Sequence, residues 1–171
     1  MWNRHKWSQL NTQQVGTYTE YFVKMELTMY GFQVYTTEVD DHGIDFVARH
    51  ERGSFIEVQV KSLRVKPPTI EGYVFLQKDK FIPAGNLYLA LGLLADGKPP
   101  ELFLIPSSIW EHPNGVFVSR DYPGLKSKPE WGINISKKNA HFLDPFKFEK
   151  TVASVCKRLS ESTSPMLDSK S

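Results

Sequence analysis

Residues 86–95 read Asn-Leu-Tyr-Leu-Ala-Leu-Gly-Leu-Leu-Ala, the longest apolar run in the chain. A membrane-spanning helix needs roughly 20 such residues, and a half-exposed strand would alternate polar with apolar positions. This run does neither, so it reads as a strand covered on both faces. The Asp96-Gly97 turn signal follows, and residues 101–105 are expected to pair back on the buried strand.

Upstream, Asn11 and Gln14 have the spacing of a reciprocal helix cap. Val15, Tyr18, Phe22, Met25 and Met29 repeat at helical spacing behind them as the expected buried stripe, and Gly31 is placed to end the helix. Residues 32–39 read as a first strand, Asp40-Asp41-His42-Gly43 as a turn, and residues 44–48 as a second strand. A third strand follows the Glu51-Arg52-Gly53 turn, so the opening order is helix, strand, strand, strand. Pro67 and Pro68 interrupt the chain, and residues 72–80 fit a short strand and a short helix equally. Residues 112–139 read as a loop rich in Gly, Pro, Asn and Lys, with short candidate strands at 116–119 and 133–135. Asp144-Pro145 fits the cap and first turn of a last helix, with Phe148, Val152, Val155 and Leu159 as its buried stripe.

The 171 residues suit a single domain, taken as 1–160, with a disordered Ser-rich tail at 161–171. Residues 1–7 lack the apolar centre of a signal peptide, so a cytoplasmic location is the default expectation, with no membrane partner. Cys156 is the only cysteine, which excludes an internal disulfide and a thiolate zinc cluster and leaves it as a small packing residue. A formal net charge of +2 neither identifies nor excludes a nucleic-acid partner. The more basic stretch, residues 120–158, reads as solvated surface.

Two segments carry candidate chemistry. In an extended strand Phe55, Glu57, Gln59 and Lys61 share one face, while Ile56, Val58 and Val60 share the other. An exposed strand alternates in the same way, so the acid, amide and amine do not by themselves mark a site. Asp45 does, because it stands between Ile44 and Phe46 in an apolar strand, where a carboxylate is costly unless paired or bound to a cation. Lys61 is either its ion-pair partner or its companion in a metal site. Magnesium takes hard oxygen ligands, which Asp45, Glu57 and Gln59 carry, and a nearby Lys lowers the pKa of an attacking water or neutralises charge on phosphate. That combination suits phosphodiester hydrolysis.

Over residues 12–95 the sequence resembles the PD-(D/E)XK nucleases of the restriction endonuclease-like fold. That family places a Glu on the first helix, an Asp on the second strand and an acidic residue, any residue and Lys on the third. Glu20 resembles the helix acid, Asp45 the strand acid, and Gln59-Val60-Lys61 the third element. The resemblance implies an α/β fold whose mixed central sheet of four to five strands is flanked by helices in the order α-β-β-β-α-β. A loop region and a C-terminal helix would be additions. It also implies a metal-dependent endonuclease-like domain that hydrolyses DNA, with Mg²⁺ or Mn²⁺ as cofactor. Asp45 would bind the metal, Gln59 would give an amide oxygen, and Lys61 would position or activate water. Because cutting two strands often calls for two sites, a homodimer is implied as well.

Gln59 stands where the family more often has Glu or Asp, although Gln variants occur among relatives that resemble modified-DNA restriction enzymes. Glu57, two residues earlier on the same face, can bring the missing carboxylate to the metal, or is an exposed strand residue. Glu20 is either the helix acid, with Gly16 allowing close approach beside it, or an ordinary exposed Glu. The alternative function is a catalytically degenerate module with the same fold that binds nucleic acid or protein. A third reading is a structural domain with an Asp45–Lys61 ion pair. Trp110, Trp131 and Tyr122 suit base stacking or, as expected, packing, and Lys66, Lys78 and Lys80 follow the motif strand within reach of phosphates.

Overall fold

Residues 3–36, 43–51 and 53–161 are described by the computed structural model. Helix α1 (Thr12–Met29) opens at the cap its sequence announces. The Asn11 side chain accepts the Gln14 N–H at 2.8 Å, and the Gln14 side chain accepts the Asn11 N–H at 2.9 Å. Two otherwise unsatisfied donors of the first turn are thereby paired. Gly31, at φ +84°, ends the helix in a conformation that other residues avoid.

The buried face of α1 differs from the expected stripe. It is Val15, Thr19, Val23 and Leu27, whereas Met25 and Met29 are 64% and 82% exposed and Tyr18 also faces outward. Thr19 can be buried because its hydroxyl donates to the Val15 carbonyl at 2.8 Å, leaving no unpaired group. The long apolar side chains of the opposite face gave the helical period a second, competing solution.

Strands β1 (Phe32–Thr36), β2 (Phe46–His50), β3 (Phe55–Val65), β5 (Leu87–Ala95) and β6 (Glu101–Pro106) form one sheet in the order β1-β2-β3-β5-β6. β3 and β5 run parallel, and the other neighbours are antiparallel. All nine residues of β5 are buried, as its composition requires. The expected order placed a helix in the crossover from β3 to β5. That position instead holds β4 (Gly72–Gln77), in which Val74 and Leu76 point inward while Phe75 is exposed. This period of two is a strand's, and β4 pairs with β8 (Glu130–Ile135) from Gly72↔Ile135 to Gln77↔Glu130. β7 (Phe117–Arg120) completes a second, three-stranded sheet, so the expected loop at 112–139 contains two of its strands.

The large sheet is sandwiched. α1 and α2 (Phe148–Glu161) cover one face, with Val23, Leu27, Phe148 and Val152 packed on Phe46, Ile56, Val58 and Ala90. The small sheet covers the other, with Val74, Leu76, Phe117 and Ile133 packed on Leu87, Leu89 and Leu91. The stripe expected for α2 is buried as read, and half-buried Cys156 packs beside it, its thiol held above the ordinary range by burial. Asp144-Pro145 does not cap α2. It lies in the 3-10 helix Ala140–Phe146, and an extended Lys147 separates that turn from α2. α2 continues through Ser160 to Glu161, while the rest of the expected tail, the end of the expected first strand at 37–39 and the turn residue His42 lie outside the described residues. No helix among the described residues is long and apolar enough to cross a membrane.

Candidate active site

β2 and β3 pair in antiparallel register from Arg49↔Phe55 to Phe46↔Val58. Asp45 stands immediately before β2, two residues from Val47, the register partner of Glu57. It therefore holds the end of the paired segment. Its N–H donates to the Val58 carbonyl at 3.0 Å, and its carboxylate Oδ2 accepts the Val60 N–H at 2.5 Å. A side chain has replaced the main chain in the last rung of the ladder. Because the N–H and C=O of one strand residue point the same way, the Val60 carbonyl also faces the β2 side. Glu57 points its main chain the other way, donating to the Asn86 carbonyl at 2.8 Å.

Gln59 lies between the two rungs that Asp45 makes. Its amide oxygen is buried and has no hydrogen-bond partner among the described residues. Such an acceptor costs about 1–3 kcal/mol when nothing pairs it, and a water, a neighbouring group or a cation can each supply the partner. The amide nitrogen packs on Gly43, at φ +75°, where an added Cβ would stand 3.4 Å away and also 3.5 Å from the Cβ of Lys80. Gly43 thus packs against Gln59, and Lys80 arrives from a segment 37 positions further along the chain. Lys80's place beside the motif had no local signal in the sequence.

Asp45, Gln59 and Val60 carry a carboxylate, an amide carbonyl and a strand carbonyl, oxygens of the kind that Mg²⁺ or Mn²⁺ takes. Half-buried Glu57 adds a carboxylate two residues before Gln59 on the same face. The site is not an acid cluster: among the described residues no group of three or more His, Cys, Asp or Glu is placed to hold a metal. Lys61, opposite Leu91 of β5 on that face, makes no ion pair among the described residues, so the structural Asp45–Lys61 pair does not form.

No protein-family model matches the sequence, and no curated protein does. Solved structures match in shape. Hjc of Archaeoglobus fulgidus, a Holliday junction resolvase from an archaeal hyperthermophile, superposes with a TM-score of 0.50 at 14% identity, over 81% of this chain and 95% of that one. A bacterial homing endonuclease gives a TM-score of 0.57 at 13% identity, over 89% and 96%. The chain has the restriction endonuclease-like nuclease fold.

Within this nuclease fold the remaining expected residues sort by position. Glu20 follows buried Thr19 on α1 and so borders the packed face instead of opposing it. Its carboxylate pairs with Lys24 at 2.5 Å, and the Lys24 ammonium sits 5.4 Å over the ring of Phe46, the residue after Asp45. Glu20 is therefore a neighbour of the site strand, held by Lys24, and it makes no hydrogen bond to Gln59 or Lys61 among the described residues. Trp110 is 1% exposed and donates to the Gly132 carbonyl at 3.1 Å. Trp131 donates to the Phe81 carbonyl at 3.0 Å, and Tyr122 donates to Glu130 at 2.9 Å. All three serve packing. Lys78 covers Trp131 at 4.2 Å and pairs with Asp121 at 2.9 Å, which leaves it engaged within the small sheet.

Proposed function

We propose that this chain is a metal-dependent endonuclease-like domain of the PD-(D/E)XK type that hydrolyses DNA phosphodiester bonds. The observation that carries the reading is the buried Oε1 of Gln59, without a hydrogen-bond partner among the described residues, on the strand segment that Asp45 ties at Val60. Asp45, Gln59 and the Val60 carbonyl hold Mg²⁺ or Mn²⁺, with Glu57 bringing the compensating carboxylate. When bound, the cation supplies charge neutralisation at phosphate and a more acidic attacking water. Lys61, without an ion-pair partner among the described residues and on the face of Gln59, orients that water or meets charge developing on phosphate. Glu20, paired with Lys24 beside Phe46, would support the site from α1. The fold neighbours, named as a resolvase and a homing endonuclease, support DNA as the substrate class. Cutting both strands often calls for two active sites, which a homodimer would supply.

The test is cleavage of duplex, branched and single-stranded DNA with Mg²⁺ or Mn²⁺, each against a chelator control. Metal-dependent product from at least one substrate is expected, and none from any substrate would remove the enzyme reading.

The absence of a three-membered acid cluster among the described residues favours a second reading, a degenerate module that binds nucleic acid or protein. Calorimetry separates the two. The enzyme binds Mn²⁺ at one site per chain in the presence of DNA, and the module binds none.

A further inference from the structure

The small sheet leaves part of the large sheet open. Its core cluster takes in Leu63 and Val65 of β3 but no residue of β1 or β2. Register partners point to the same side of a sheet, so Tyr35, Val47 and Glu57 form one row across these three strands, and Gln33, Arg49 and Phe55 form the next. Gln59 and Lys61 continue the same face of β3 beyond Glu57. The candidate active site and the two rows therefore share one surface.

Two aromatic rings stand on it. Tyr35 and Phe55 are each 43% exposed, with ring centroids 5.5 Å apart at an interplanar angle of 66°. Arg49 braces them. Its guanidinium lies 5.2 Å from the centre of the Phe55 ring, and its Nη2 donates to the Gln33 Oε1 at 2.9 Å and to the Tyr35 hydroxyl at 3.4 Å. Among the described residues Nη1 makes no hydrogen bond and the guanidinium forms no ion pair. An oriented cation without a carboxylate, set beside two exposed rings, matches a phosphate joined to a planar base.

In a duplex the bases are stacked on one another, and a protein reaches only their edges in the grooves. A protein ring can cover the face of a base only where that base is out of the stack. Phe55 stands four residues before Gln59, roughly 13 Å along the strand, a distance of about four nucleotide steps. We infer that this surface binds an unpaired stretch of the DNA substrate next to the point of cleavage, with a base on Phe55 and Tyr35 and a phosphate on Arg49. The inference rests on the proposed hydrolysis for the point of cleavage, and it adds a preference for DNA that carries an unpaired segment.

Fluorescence anisotropy on the full chain in excess chelator tests it, with a blunt duplex and the same duplex carrying an overhang of thymidines as probes. The overhang duplex is expected to bind about fivefold more tightly or better. Tyr35→Ala/Phe55→Ala should lose that advantage while keeping the wild-type circular dichroism and blunt-duplex affinity, since both rings are exposed. Tyr35→Phe/Phe55→Trp should retain it. Arg49→Gln should lower the salt slope of overhang binding by about one. Equal binding of the two duplexes, an advantage that survives loss of both rings, or a salt slope indifferent to Arg49 would each overturn the inference. So would a dimer in sedimentation that the double alanine variant breaks without changing overhang binding, because the rings would then join two copies of the chain. Cleavage in Mn²⁺ reads the hydrolysis separately. Cleavage with binding indifferent to the rings removes this inference alone, and ring-dependent binding without cleavage removes the hydrolysis and keeps the DNA surface.

Discussion

The carboxylate of Asp45 accepts the backbone N–H of Val60 at 2.5 Å, so Asp45 is itself a rung between β2 and β3. Asp45→Asn keeps an acceptor for that N–H and loses the charge, whereas Asp45→Ala loses both. Asn should therefore fold with nearly wild-type stability and lack cleavage, while Ala should lose about 1–3 kcal/mol, as for a buried donor left unpaired. Urea denaturation of both variants checks this. Equal stability of Ala and wild type would show that the rung is not structural.

Gln59 carries the opposite problem, an acceptor with nothing to accept among the described residues. Gln59→Leu removes the orphaned oxygen at similar volume, so in chelator the variant should melt at or above the wild-type temperature. It should also lose any stabilisation by Mn²⁺. Gln59→Glu should do the reverse, binding Mn²⁺ at least tenfold more tightly and losing stability in chelator through repulsion between carboxylates. Thermal melts with and without Mn²⁺ read both effects.

α1 lies close to the buried strand because Gly92 has no side chain. A Cβ there would stand 2.6 Å from the Thr19 Cγ2. Gly92→Ala should cost about 1–3 kcal/mol by overpacking, and Thr19→Ser, which deletes the opposing methyl, should recover part of that loss. A double-mutant cycle in urea measures the coupling, and strict additivity would contradict the contact.

Asp96 is held below the ordinary carboxylate range, chiefly by the Ser8 hydroxyl and then by the Ser8 N–H. Its folded pKa is depressed, so the tie it makes to the N-terminal segment is present above the unfolded pKa and is lost as pH falls through the folded one. Ser8→Ala should raise the Asp96 pKa toward the ordinary value in a carboxyl NMR titration. An unchanged titration would remove the hydroxyl as the cause.

Features set by neighbours in sequence were readable. The Asn11–Gln14 cap, the buried strand 87–95 and the shared face of Glu57, Gln59 and Lys61 all rest on local chemistry or on a period of two. The choice of buried face on α1 was not readable, because Val23 and Leu27 compete with Tyr18, Met25 and Met29 at helical spacing from the shared Val15. Contacts distant in sequence decide between them, among them the approach of Thr19 to Gly92 across 73 positions. β4 was ambiguous for the same reason, since its partner β8 lies far along the chain. In the site, the order of Asp45 and Gln59-Val60-Lys61 was legible as a pattern. The Asp45–Val60 rung, the orphaned amide oxygen and the nearness of Lys80 depend on how β2 and β3 part beyond Asp45, which no spacing encodes.

The proposal that Asp45 and Lys61 serve metal-dependent phosphodiester hydrolysis is tested most directly by single-turnover cleavage of DNA in Mn²⁺. Wild type, Asp45→Asn and Lys61→Ala should be compared at matched folding. Cleavage by wild type that falls at least a hundredfold in each variant is the predicted result. Equal rates in all three proteins would contradict it.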